Sequence, residues 1–163
     1  MKRRAWLTLA AASPLFAVKP PREPMPRFQA KSIDGQLFTR ENLKGKVVLV
    51  QHWATWCGYC RKDEPAVEQV IKDHGKDGLI VLAINAAESK AKVEDYLKAR
   101  PRAAKIVMTP DTNLARLFEG SGLPAYILID RESNVAAMQP GSGGIMALRE
   151  MLKEVGLSRP QSQ

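Results

Sequence analysis

Cys57 and Cys60 are the two cysteines of this 163-residue chain, separated only by Gly58 and Tyr59. In the reduced state such a pair offers one thiolate to attack a foreign disulfide and a second thiol to displace the captured partner. Cys57 is the expected nucleophile. The residues after it carry a helical pattern, with apolar Ala66, Val67, Val70 and Ile71 at spacings of one, three and four. That pattern places Cys57 at a helix N-terminus, where unpaired N–H groups and the helix dipole favour a negative sulfur. Cys60 lies one turn further in and is the expected resolving thiol. Two other uses of the pair have less support. A closed zinc site needs four ligands, and the remaining His52 and His74 stand at no regular ligand spacing. A purely structural disulfide closing so short a loop constrains little of the unfolded chain.

The flanking segments show what must hold the pair in place. The apolar run 47–50 reads as a strand entering Trp53-Ala54-Thr55-Trp56-Cys57, so the cysteines sit on a strand-to-helix turn. In the helix that follows, Pro65 is expected to kink or interrupt the early turns, and Gly75 to cap the end next to His74. Residues 79–84 are continuously apolar, the mark of a strand covered on both faces, and therefore of a parallel sheet under helices. A helix with Val93, Tyr96 and Leu97 on one face follows. Residues 105–108 form a short strand, and Asp111 or Thr112 is placed to cap a helix containing Leu114, Leu117 and Phe118. Residues 127–130 and 135–139 make an antiparallel hairpin, and Ile145, Leu148, Leu152 and Val155 share one face of a final helix. Nearer the start, 28–31 and 36–39 flank Asp34-Gly35, a dipeptide suited to a tight hairpin turn.

With these elements in place, Trp53 to Cys60 after a hydrophobic strand resembles the thioredoxin superfamily, and within it the exported TlpA/ResA group. The resemblance implies an α/β, thioredoxin-like fold: a mixed central sheet flanked by helices, with an N-terminal β-hairpin and an inserted βα unit. It also implies a thiol-disulfide oxidoreductase with Cys57–Cys60 as its redox-active disulfide. Pro124, before the apolar strand that starts at Ala125, resembles the family's cis-proline. Leu123 and Pro124 would then receive an extended substrate segment, together with Trp56, Gly58 and Tyr59 beside the cysteines. Glu88 stands at the C-terminal end of the 79–84 strand in a stretch similar to that carrying the active-site glutamate of ResA-like proteins. Cytoplasmic thioredoxins resemble one another in having a buried aspartate where this chain has Gln51, which cannot ionise. Glu88 is therefore the expected proton-transfer group for Cys60, with a pKa raised by burial. His52 reads as a core histidine or as a second titrating group. The peroxiredoxin branch carries a proline and a threonine where this chain has Val50 and Ala54.

Length and a hydrophobic content of 45% fit one domain, expected over 27–157 with a frayed tail at 158–163. Residues 1–17, with Lys2, Arg3 and Arg4 before an apolar run, have the layout of a secretory signal peptide. A retained membrane anchor is the other reading of this segment. Residues 18–26 contain four prolines and read as an extended tether. The expected location is the periplasm or another extracytoplasmic space. The net charge of +8 falls to +5 without the three leader cations, and no phosphate loop or basic stripe with interleaved aromatics points to nucleic acid. The chemistry requires no cofactor and no metal. The resemblance points to a monomer reducing disulfides of client proteins, for example in cytochrome c maturation, with electrons from a membrane thiol donor. A DsbA-like oxidase and a copper-binding or chaperone module using the same two cysteines are the alternatives.

Overall fold

The computed structural model describes residues 22–158. The leader expected at 1–17 lies outside them, as does all but Ser158 of the tail. Seven strands form one sheet: β1 (Gln29–Ser32), β2 (Leu37–Thr39), β3 (Val47–Trp53), β4 (Leu79–Asn85), β5 (Lys105–Thr112), β6 (Ala125–Ile129) and β7 (Val135–Pro140). Their order is β2-β1-β5-β4-β3-β6-β7, with β3, β4 and β5 parallel and the flanking strands antiparallel. Three helices complete the fold: α1 (Gly58–His74), α2 (Lys90–Ala99) and α3 (Gly144–Lys153). This is the thioredoxin-like α/β fold expected, with its hairpin at β1–β2; the inserted βα unit expected from residue 105 onward is β5 followed by a 3-10 turn in place of a helix.

Successive residues of β3 point to opposite faces and find core on both sides. Val47, Leu49 and Trp53 pack under α1 and α3 with Val67, Val70, Leu148 and Leu152. Val48 and Val50 pack on the other face with Phe28, Phe38, Leu82, Ile84 and Phe118. Truncating a residue such as Leu49 to Ala removes buried apolar surface from the centre of this sandwich and costs about 2–5 kcal/mol. That two-sided burial fixes the register of β3 against β4, where Trp53 lies opposite Asn85.

Several local expectations change in the folded chain. Pro65 sits within an uninterrupted α1. Gly75 caps α1 in a right-handed conformation, and the left-handed residue is Gly78, after one further 3-10 turn. The strand expected at 105–108 runs on to Thr112, because Thr112 pairs with Ala30 of the hairpin and keeps the chain extended. Only five residues, Leu114–Phe118, are left to coil, and they form a 3-10 turn that buries Leu114 and Phe118. The described part of the expected tether is packed as well. Met25 is in the core and its N–H donates to the Ser133 carbonyl, while Glu23 accepts from Val135 N–H. Arg22 pairs with Asp130 at 2.9 Å. Prolines 24 and 26 deny this segment a strand of its own, yet its remaining polar groups find partners on the β6–β7 turn.

Candidate active site

The parallel strands β3 and β4 end at the same edge of the sheet, and α1 starts there. Cys57 is the N-cap of α1, and its Sγ accepts the Cys60 N–H at 3.1 Å. Cys57 and Cys60 are joined in a disulfide. Both sulfur-bearing residues are nearly covered, at 4% and 1% exposure, while their neighbours Trp56 and Tyr59 are 62% and 63% exposed. Two large aromatics in water beside a covered disulfide form a contact surface rather than core. Gly58 lies between them, exposed, in the first turn of α1.

Strand β6 runs antiparallel to β3, with Ala125 opposite His52. This register brings Leu123 and Pro124 to the edge that carries the cysteines, and the peptide bond between them is cis. Pro124 is buried, Leu123 is half-buried, and the Pro124 carbonyl accepts from Gly141 N–H at 2.8 Å.

Glu88 also reaches this edge, but in a different electrostatic state from the one expected. Its carboxylate accepts from Thr55 N–H at 2.7 Å, Thr55 Oγ1 at 2.6 Å and Asn85 Nδ2 at 2.8 Å, and Lys92 Nζ lies 2.7 Å away. Desolvation raises its pKa, but the hydrogen bonds from Lys92, Thr55 and Asn85 outweigh it and hold the group at about 2. The upward shift expected from burial is thus reversed, because every donor around the group favours its charged form. A carboxylate held this low is a weak proton acceptor at neutral pH. What Glu88 does is fasten Thr55, two residues ahead of Cys57, to the end of β4; Arg61 Nη1 adds a bond to the Thr55 carbonyl at 3.2 Å.

A second carboxylate, unmarked in the sequence analysis, lies on the inner side of α1. Asp63 is three residues after Cys60, a spacing that puts two helix side chains on one face with Cβ atoms roughly 5–6 Å apart. It is buried and accepts from Tyr126 Oη at 2.9 Å, Ser142 Oγ at 2.6 Å and Gly144 N–H at 3.2 Å. Tyr126 in turn accepts from Gln51 Nε2 at 3.2 Å, and Gln51 Oε1 accepts from Arg102 Nη2 at 2.8 Å. Burial and the Asp63 charge push the Tyr126 hydroxyl far above its usual range, so it stays protonated. The sequence signal for Asp63 was its place in the buried stripe of α1, one turn ahead of Ala66 and Val67.

His52 is half-buried, stacks on Phe118 with ring centroids 4.9 Å apart, and has its pKa lowered by desolvation. It is a neutral packing histidine at neutral pH. His74 is buried at the end of α1, with Nδ1 3.4 Å from Asp77.

A family model described as the AhpC/TSA family matches residues 21–138. The chain is 29% identical over 117 residues to the thiol-disulfide oxidoreductase ResA of Bacillus subtilis (strain 168), covering 72% of this chain and 65% of the relative. Against a ResA of Bacillus cereus the identity is 26% over 110 residues, covering 68% of this chain and 64% of the relative. The chain thus spans just under two thirds of these two relatives. Among solved structures, a thiol:disulfide interchange protein of the thioredoxin family from Chlorobium tepidum TLS superimposes with a TM-score of 0.73 at 29% identity, over 84% of this chain and 98% of that one. The pneumococcal exposed lipoprotein thioredoxin Etrx1 from Streptococcus pneumoniae strain TIGR4 gives 0.69 at 25% identity, over 78% and 98%.

Proposed function

This chain belongs to the AhpC/TSA family, and on that premise we propose that it is an extracytoplasmic thiol-disulfide oxidoreductase that reduces disulfides of client proteins. The observation that carries this reading is the Cys57–Cys60 disulfide at the N-terminus of α1, on the same sheet edge as cis Leu123–Pro124. Val50 and Ala54 stand where the peroxidase branch has its proline and threonine, which argues against peroxide reduction at this edge.

The exchange takes two steps. Reduced Cys57, as thiolate, attacks one sulfur of the client disulfide; a mixed disulfide forms and the client's other sulfur leaves as a thiolate. Cys60 then gives up its proton and attacks Cys57 Sγ, which re-forms the Cys57–Cys60 bond and releases the second client thiolate. Two electrons pass to the client, both of its sulfurs end protonated by solvent, and an external dithiol re-reduces the pair. The helix N-terminus stabilises the Cys57 thiolate. Asp63, on the Cys60 face of α1, takes the proton-transfer role that the sequence assigned to Glu88, and Glu88 anchors the loop. An extended client segment pairs its backbone with Leu123 as an added strand, flanked by Trp56, Gly58 and Tyr59.

The lysine- and arginine-led apolar segment at the start of the chain supports the extracytoplasmic setting. The client class suggested by the TlpA/ResA resemblance is exported proteins with paired cysteines, such as apocytochromes c, and the electron donor is a membrane thiol protein. Equilibrating the pair against a glutathione buffer tests the direction of transfer. A potential of about −220 mV or lower is expected for a reductant, and a value near about −120 mV would make the protein an oxidase instead.

A further inference from the structure

Arg102 lies in the connection from α2 to β5, in the unremarkable run Pro101-Arg102-Ala103-Ala104. Its side chain is nevertheless only 2% exposed. The guanidinium carbon sits 4.9 Å from the centre of the Trp53 ring, four residues ahead of Cys57. Nη2 donates to Gln51 Oε1, while Nε is 3.7 Å from Glu68 Oε1, and neither Nε nor Nη1 has a hydrogen-bond partner. A guanidinium keeps its proton in proteins. A permanent positive charge is therefore held inside the layer between sheet and α1, with its hydrogen-bonding capacity only partly met.

This charge fixes the direction of every bond beyond it. A guanidinium only donates, so Gln51 must present its oxygen to Arg102 and its NH2 to Tyr126. The Tyr126 oxygen then accepts from Gln51 and its single proton goes to Asp63. Ser142 and Gly144 donate to the other oxygen of Asp63. Other charged and titratable groups also face this layer. From α1 come Glu68 and Glu64, from α2 Tyr96, whose hydroxyl donates to Glu64, and from the end of α2 Arg100, 3.6 Å from Glu64. Tyr126 comes from β6.

We propose that Arg102 is a positioning residue for the dithiol: through Gln51 and Tyr126 it holds Asp63 in place on the Cys60 face of α1, and its buried positive charge beside Trp53 favours the thiolate form. The inference rests on the exchange reading but is measured separately from it. A fixed positive charge in a buried layer favours the ionised form of a nearby thiol, and removing that charge disfavours it.

The test is the alkylation rate of the reduced protein against pH, which requires no client and no turnover. Arg102→Met keeps length and loses charge; Arg102→Lys keeps the charge. The Met variant is expected to shift the alkylation midpoint up by about one pH unit and to lower the rate at pH 7 by up to about tenfold. The Lys variant is expected to return most of that shift. A folded Met variant whose curve superimposes on the parent overturns the proposal, as does a folded Lys variant that shifts as far as Met. If Arg102→Met does not fold, Arg102→Gln removes the charge and keeps an NH2 donor toward Gln51: an upward shift supports the proposal and a superimposable curve overturns it. Failure of the parent protein to reduce any disulfide would count against the exchange reading and leaves this comparison intact.

Discussion

Glu88 grips Thr55 twice, taking the backbone N–H at 2.7 Å and the side-chain hydroxyl at 2.6 Å. The end of β4 is thereby tied to the loop that presents Cys57, and the bond network that holds the loop also holds the carboxylate in its charged form. Burial alone would have had the opposite effect, so the sign of this pKa follows from counting donors.

The Glu88 anchor predicts a pH-dependent stability. Its folded pKa of about 2 lies below the ordinary 4.5, so the stabilisation is complete above about pH 5 and fades as pH falls toward 2. With a side chain only 6% exposed, the group contributes on the order of 2–3 kcal/mol at neutral pH. Urea unfolding at pH 7, 4.5 and 2.5 should show this loss in the parent, and Glu88→Gln should be less stable at pH 7 with a flatter profile. Parallel profiles for the two proteins would remove the anchor.

Asp63→Asn should separate proton transfer from folding. The amide oxygen still accepts from Ser142 and Gly144, but the new NH2 cannot accept the Tyr126 proton, so one buried hydrogen bond is lost at a cost of about 1–3 kcal/mol. Resolution of the mixed disulfide should slow at least about tenfold at pH 7 and recover at higher pH, where Cys60 ionises unaided. Quenched-flow measurement of client release reads this directly. An unchanged resolution rate would reduce Asp63 to a tie between α1 and α3.

The exposed aromatics should affect client recognition and not the fold. Replacing Trp56 and Tyr59 by Ala is expected to leave unfolding within about 0.5 kcal/mol of the parent. The same change should raise KM for a protein disulfide several-fold while sparing a small aromatic disulfide. Equal losses on both substrates would place the effect on the dithiol itself.

The parts of the site that are local in sequence were the legible ones. Cys57 and Cys60, the strand before them and Pro124 before β6 each carry their signal within a few residues. Beyond the place of Asp63 in the buried stripe of α1, the polar chain Arg102–Gln51–Tyr126–Asp63 carries none, because it exists only once Gln51 is set opposite Tyr126, 75 residues away, by the β3–β6 ladder. The same holds for the segment at Arg22 to Met25, whose prolines suggest a free tether until Asp130 and Ser133 are in place beside it. Glu88 was found by its position at the end of β4, but its charge state required the donors Thr55 and Lys92 to be known.

The central claim, that Cys57 attacks and Cys60 resolves, is tested most directly by trapping. Each cysteine is replaced by Ser in turn, the reduced protein is incubated with a disulfide-bearing client, and adducts are resolved on a non-reducing gel and mapped by mass spectrometry. Cys60→Ser should accumulate a client mixed disulfide at Cys57, since capture proceeds and release does not, and Cys57→Ser should accumulate none. Adducts on Cys57→Ser with none on Cys60→Ser would reverse the roles, and adducts on neither would contradict dithiol exchange at this site.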